Sequence, residues 1–310
     1  MSLRLALALT AALAAGPALA ADPESCAAIR LSAPGWTDID ATNGVATTLL
    51  KALGYKPEIK TLSVPIGYEA MKSGDVDVFL GNWMPAQQHF RDDLAKANAV
   101  EVLVQNLAGA KFTLAVPSAV AAEGVTDFKD LAGHAKEFDS KIYGIESGAP
   151  ANQSLQKMIA ADDFGLKGWT LVETGEQAML AQVARAVKAK KAIVFLAWAP
   201  HPMNTKFDIT YLSGGDAYFG PDFGGAQVYT LARTGWAGQC PNAGQLFRNL
   251  VFSIDLENAL MGAIADGATP EKAAAAAIKA DPALLDPWLA GVTTLGGAPA
   301  LPAVKGAIGL

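Results

Sequence analysis

The sequence has little of what enzyme chemistry is usually built from. Its three histidines, His89, His134 and His201, stand far apart and share no metal-ligand spacing. There is no G-x-S-x-G elbow and no phosphate-cradling loop, and the glycines between 214 and 225 lack the strand-then-helix setting of a dinucleotide fingerprint. Charge is sparse as well. With 24 basic against 30 acidic residues the net charge is −6, which argues against nucleic acid or an anionic membrane surface as partner. The basic run Lys188-Ala189-Lys190-Lys191 closes an expected helix, where cations favourably oppose the dipole. Asp75 and Asp77 share one face of an expected strand beside a turn, where solvated edge residues are expected rather than an acid/base pair. These absences point to a protein that binds rather than reacts, with no cofactor and no metal.

Long apolar runs are confined to the N-terminus. Arg4 is followed by an apolar stretch over 5–15, then by Gly16-Pro17-Ala18-Leu19-Ala20, a small-x-small pattern suited to signal peptidase. This segment is too short and wrongly flanked for a spanning helix, so 1–20 is expected to be a signal peptide and the mature protein periplasmic. The longest later candidate, 192–200, reads as a buried strand. Two cysteines, Cys26 and Cys240, enter that oxidising space, and one disulfide is the simplest account of them. A metal or catalytic thiol would call for a histidine nearby, and none is present.

What the chain does have is regular alternation. Residues 29–33 read as a strand stopped by Pro34-Gly35. A helix capped at Asp40 or Thr42 follows, with apolar Val45, Leu49, Leu50 and Leu53, and ends at Gly54. A strand at 56–62, a short helix from Pro65 to Gly74 and a strand at 75–80 ending at Gly81-Asn82-Trp83 complete the series. A strand at 111–116 opens a second series, with strands at 141–145, 169–172 and 192–198 and helices at 152–160 and 176–189. Such alternation calls for mainly parallel sheets covered by helices. The expected domains are lobe 1 over 21–111 and 216–310, discontinuous and held by the Cys26–Cys240 bridge, and lobe 2 over 112–215. Two crossings between lobes make a hinge able to close over a solute.

Tryptophan is the informative residue. Trp169, Trp236 and Trp288 read as core, but Trp36, Trp83 and Trp198 each fall at a strand-to-loop junction, where α/β folds bind ligands. Indole faces distributed over both lobes suit a quaternary ammonium ion, which spreads its charge over methyl groups and donates no ordinary hydrogen bond. Each contact is worth roughly 0.5–2 kcal/mol. A sugar platform would need several fixed polar side chains, and these junctions are poor in them.

Three strings carry a family resemblance: Leu80-Gly81-Asn82-Trp83-Met84-Pro85, Trp198-Ala199-Pro200-His201-Pro202-Met203-Asn204, and Tyr218-Phe219-Gly220-Pro221-Asp222-Phe223-Gly224-Gly225. With Cys240-Pro241-Asn242 and the helix around Glu257-Asn258, the chain resembles the choline and glycine-betaine binding proteins of ABC importers, most strongly the choline branch. That resemblance implies a bilobal type II periplasmic-binding-protein fold, a membrane permease as partner and a monomeric protein. It further implies an aromatic box at Trp36, Trp83, Phe112 and Trp198, with Asp38 taking the ligand hydroxyl. Two positions depart from the branch. Phe112 stands where tyrosine is common, and Ala149 follows Gly148 where an asparagine is frequent, leaving Asn152 as the candidate replacement. A carboxylate at Asp38 favours choline over glycine betaine. Trimethylamine N-oxide and carnitine-like solutes remain alternatives, as does a sensor subunit in place of an import component. A hydrolase of choline esters would need a serine paired with a histidine, and the sequence offers none.

Overall fold

Residues 21–310 are described in the computed structural model; the signal peptide expected at 1–20 lies outside the described residues. Nine strands form one curled sheet: β1 (Ala28–Ala33), β2 (Lys56–Thr61), β3 (Val78–Met84), β4 (Val100–Pro117), β5 (Lys141–Tyr143), β6 (Thr170–Val172), β7 (Phe195–Ala199), β8 (Ile209–Tyr211) and β9 (Gly225–Arg233). Their order is β2-β1-β3-β9-β4-β7-β5-β6, with β8 on β4. The pairs β1–β2, β1–β3, β5–β6 and β5–β7 are parallel, so each end of the sheet is an α/β unit with crossover helices. Antiparallel β9 and β4 join the two ends.

Strand β4 is much longer than its sequence pattern suggests. Its pairing with β9 shifts register three times, and its first half is only partly buried, so the two-residue alternation is broken before Leu107. Only the segment after 111, a short apolar run buried at every position from Thr113 to Pro117, is regular enough to be read in advance. Lys111 is the point of change, pairing with Gly225 of β9 on one side and Ala199 of β7 on the other. One continuous strand therefore carries the chain from the first half of the sheet to the second.

The helix Thr37–Ala52 is the centre of the first half. Ile39, Val45, Leu49 and Leu50 are buried, and the helix is covered by the C-terminal helices Ile254–Ala265, Pro270–Ala280 and Ala300–Ile308. The C-terminal region is thus packed on the N-terminal one. Cys26 and Cys240 form the disulfide, with Cα atoms 5.7 Å apart. In the chain-entropy picture a loop of this length contributes at most about 5 kcal/mol. Beside it, Asp22 accepts from Tyr55 Oη at 2.8 Å and from the backbone N–H groups of Asn242 and Ala243 at 2.8 and 2.9 Å. Trp169, Trp236 and Trp288 are core residues, as expected.

Asp77 is not the solvated edge residue that its neighbourhood suggests. It is 1% exposed, just before β3, and its carboxylate takes Arg30 from β1 at 2.8 and 2.9 Å and Arg233 from β9 at 2.8 Å. Burial alone would raise the Asp77 carboxyl, but the hydrogen bonds from Arg30 and Arg233 outweigh it and hold it below the ordinary carboxylate range. This pin fastens the strands on both sides of β3, one of which returns from the far end of the chain. Asp77→Asn leaves two guanidinium groups without their counter-charge and should cost about 3 kcal/mol. Because the folded value is depressed, the contribution is complete above the ordinary carboxylate range and lost as pH falls through the folded one. Urea melts of both proteins followed from pH 7 into acid should therefore differ widely at pH 7 and draw together as pH falls below the ordinary carboxylate range; an undiminished gap in acid would refute the ion-pair account.

Candidate functional site

A small cavity opens between the two halves of the sheet, within an envelope of about 390 Å3. Its walls are Trp36, Trp83, Phe112 and Trp198; its polar groups are Asp38 and Gln87; Ile145, Pro150 and Ala151 close it from the second half. Trp36, Trp83 and Trp198 are 7, 6 and 4% exposed, so their faces are turned inward rather than to solvent. Phe112 stands between two of them, 6.3 Å from Trp83 and 6.4 Å from Trp198, tilted by 60° and 55°.

Each wall is fixed by a different element. Phe112 and Trp198 are direct cross-strand partners in β4 and β7. Trp36 is the residue that precedes the helix Thr37–Ala52 and follows the end of β1. Trp83 lies inside β3, whereas the sequence places it beyond the strand end. Gly81-Asn82 looks like a turn but is extended: a Cβ at Gly81 would come within 2.5 Å of Ile39 Cδ1, so glycine lets the helix bearing Asp38 sit directly on β3. The Asn82 amide finds partners within the core, donating to Tyr68 Oη at 2.9 Å, and Gln87 Nε2 donates to Gly81 O at 2.8 Å. Gly224 closes the opposite side. A Cβ there would fall 1.8 Å from the Phe112 carbonyl oxygen, so only glycine lets this segment press against β4 behind the box.

The electrostatics are those of acids without cations. Among the described residues no lysine or arginine lines the cavity. Asp38 is 3% exposed and accepts from Trp83 Nε1 at 3.0 Å. Burial, and then the nearby charge of Glu176, push its carboxyl up to about 7, against the opposing pull of the Trp83 bond. On the other side of the box Trp36 Nε1 donates to both oxygens of Glu146, at 3.0 and 2.9 Å. Burial raises Glu146 too, and its bond from Trp36 opposes that.

Next along the chain, Thr37 gives its backbone N–H at 3.0 Å and its hydroxyl to Glu176. This explains the helix start. Expected caps Asp40 and Thr42 are not used, because a carboxylate from the second half of the sheet caps Thr37–Ala52 three residues earlier. His201, the histidine expected near a cleft, is buried behind this contact. Met203 N donates to its Nδ1 at 2.9 Å, which leaves Nε2 to donate to Glu176 at 3.2 Å.

Of the six residues singled out in the sequence, five meet at the cavity: Trp36, Asp38, Trp83, Phe112 and Trp198. Asn152 does not line it. Its side chain takes the Ile145 N–H at 3.1 Å and donates to the carbonyls of Ile145 and Glu146 and to Glu173 at 2.9–3.0 Å, so it shapes the loop behind the cavity wall. Glu146 and Glu176 escape sequence reading. They lie three and four residues past the ends of β5 and β6, the same topological position that marks Trp36, but Glu176 at the start of a helix reads as ordinary dipole complementation and Glu146 as an ordinary loop acid.

Comparison with known proteins agrees with this geometry. Residues 27–280 match the family described as the substrate-binding domain of ABC-type glycine betaine transport systems, OpuAC. An ABC-transporter choline-binding protein solved in complex with choline is 52% identical and superposes with a TM-score of 0.91 over 93% of this chain and 100% of that one. Lactococcal OpuAC, closed around glycine betaine, is 28% identical with a TM-score of 0.76, over 84% of this chain and 98% of its own. The glycine betaine/carnitine transport binding protein GbuC of Listeria monocytogenes is 30% identical over 169 residues, 54% of each chain. The α/β fold is the bilobal one of periplasmic binding proteins, and the chain belongs to the OpuAC family of ABC-transporter substrate-binding proteins.

Proposed function

We propose that this substrate-binding protein captures choline in the cavity between its lobes and presents it to the membrane permease of an importer. The observation that carries the reading is the pairing of four aromatic walls with a single lining carboxylate and no lining cation. Trimethylammonium is a sphere of methyl groups with diffuse positive charge; ring faces attract it, and Asp38 both balances the charge and accepts the hydroxyl. The 52% identical protein seen with choline supports the same assignment. In this reading Trp36, Asp38, Trp83, Phe112 and Trp198 hold the ligand. Lobe 1 comprises 21–111 and 216–310 and lobe 2 comprises 112–215, a division supported by the change of partner at Lys111. The protein works as a periplasmic monomer exported by the segment 1–20, and it carries out no reaction.

A second reading draws on the same site. A carboxyl near 7 can be protonated at neutral pH and donate to the oxygen of trimethylamine N-oxide or the carboxylate of glycine betaine. Phe112 brings no phenolic hydroxyl, and Ala149 is fully buried, so the polar end of the box rests on Asp38 and Gln87.

Trp83→Ala removes a desolvated ring face and should weaken choline by more than ~1 kcal/mol in calorimetric titration; undiminished affinity would count against the box. Asp38→Asn replaces a charged acceptor by an amide, and the loss of a charge-assisted hydrogen bond should cost choline about 1.5–3 kcal/mol. The amide can donate to a carboxylate, so glycine betaine should be spared, and equal losses for both solutes would sink the role given to Asp38. A raised carboxyl also sets a pH window. Above about 7 the carboxylate form prevails and choline affinity is flat; below it each pH unit should lower affinity by up to about tenfold. Glycine betaine should not follow that profile, and a flat choline curve from pH 8 to 5.5 would contradict the charge-balancing role.

A further inference from the structure

Two of the three indoles in the box have their N–H groups backed by carboxylates. Trp83 donates to Asp38, which lines the cavity; Trp36 donates to Glu146, which does not. Glu146 comes from the opposite lobe and faces the Trp36 N–H with both oxygens, at 3.0 and 2.9 Å. It has no lysine or arginine in ion-pair contact among the described residues. Its loop is held for the purpose: Asn152 takes the Ile145 N–H and donates to the Glu146 carbonyl at 3.0 Å.

An anion at the N–H edge of an indole does two things. It fixes the ring plane, and it pushes electron density toward the ring face, the surface that attracts a cation. The carboxylate also acts through space, across a site where little water intervenes to screen it. A neutral ligand of the same shape would feel only the first effect.

Resting on the reading that the cavity seats a quaternary ammonium ion, we propose that Glu146 is a selectivity-determining residue that never touches the ligand, strengthening the Trp36 face as a seat for positive charge. The lobes must be closed for this bond to form, so the box reaches its full preference for cations only around a captured solute. Glu176 supports the arrangement by gripping Thr37 next door, but it has no bond to an indole.

The test compares choline with its uncharged isostere, the alcohol in which a tert-butyl group replaces trimethylammonium. Both are titrated calorimetrically into the native protein, Glu146→Gln and Glu146→Asp, with the alcohol also read by displacement of choline. In Glu146→Gln, which keeps an acceptor but loses the charge, choline should weaken roughly three- to tenfold, a fraction of one cation contact, while the alcohol changes by less than about twofold. Glu146→Asp, which keeps the charge, should hold the choline-to-alcohol ratio within about twofold of native, and it serves as the test if Glu146→Gln does not fold. Equal losses for both ligands in Glu146→Gln would reduce Glu146 to a prop for Trp36 and overturn the proposal. So would an unchanged choline affinity, or a ratio that falls in Glu146→Asp as far as in Glu146→Gln. Failure of the native protein to bind choline at all would instead remove the underlying reading of the site.

Discussion

The grip of Glu146 and Glu176 on the consecutive residues Trp36 and Thr37 holds the binding cavity together. Both acids belong to the second half of the sheet and both donors to the first, so these bonds exist only when the halves are brought together. Leaving carboxylates in a poorly solvated seam is costly unless they are hydrogen-bonded. Here the partners are the first N–H and hydroxyl of a helix and the edge of an indole, each the strong, charge-assisted kind of bond. The cost of burial and the gain from closure are thereby placed at one seam, next to the ring that forms one wall of the cavity.

The topology makes that seam possible. In both halves the parallel strands point their carboxyl ends at the cleft, so residues just beyond β1, β5 and β6 meet there without any long loop. Strands β4 and β9 then do the joining, and Phe112 and Trp198 sit on paired strands close to the point where β4 changes partners. Wall residues on strands are held more rigidly than wall residues on loops. Three of the four walls are of that kind, and the fourth, Trp36, is bonded through its indole N–H to Glu146 of the other half.

How far the sequence could be read follows from the range of each interaction. Alternation of apolar residues is local, so the α/β series and the three tryptophans at its strand ends were legible, and with two cysteines in the chain the Cys26–Cys240 pairing needed no spatial information. Strand β4 was half hidden because its bulges destroy the local period, and Gly81-Asn82 mimicked a turn because the partners that satisfy Asn82 lie on other elements. Asp77 looked like a surface acid because neither Arg30 nor Arg233 is near it in the chain. Glu176 replaced the expected helix caps for the same reason. Asn152, offered by the family resemblance as the replacement for an asparagine at 149, is set apart from the cavity because the backbone groups of its own loop engage its amide.

The same distribution of charge speaks to the class of solute. Asp38, Asp40, Glu146 and Glu257 all have carboxyls pushed upward, each by burial first and then, for all four, by another acid nearby. A site assembled for an anion would show the reverse, basic groups held together and carboxyls kept away. Acids crowded into a dry region, with no lysine or arginine lining the cavity among the described residues, favour a solute that brings one positive charge. A cation relieves that repulsion on entry, whereas a zwitterion relieves it only if its own carboxylate is met by a proton. Choice between the two is therefore a matter of which carboxyl carries a proton when the lobes close. On the proposed reading Asp38 is the group that decides it, because it alone among these acids lines the cavity.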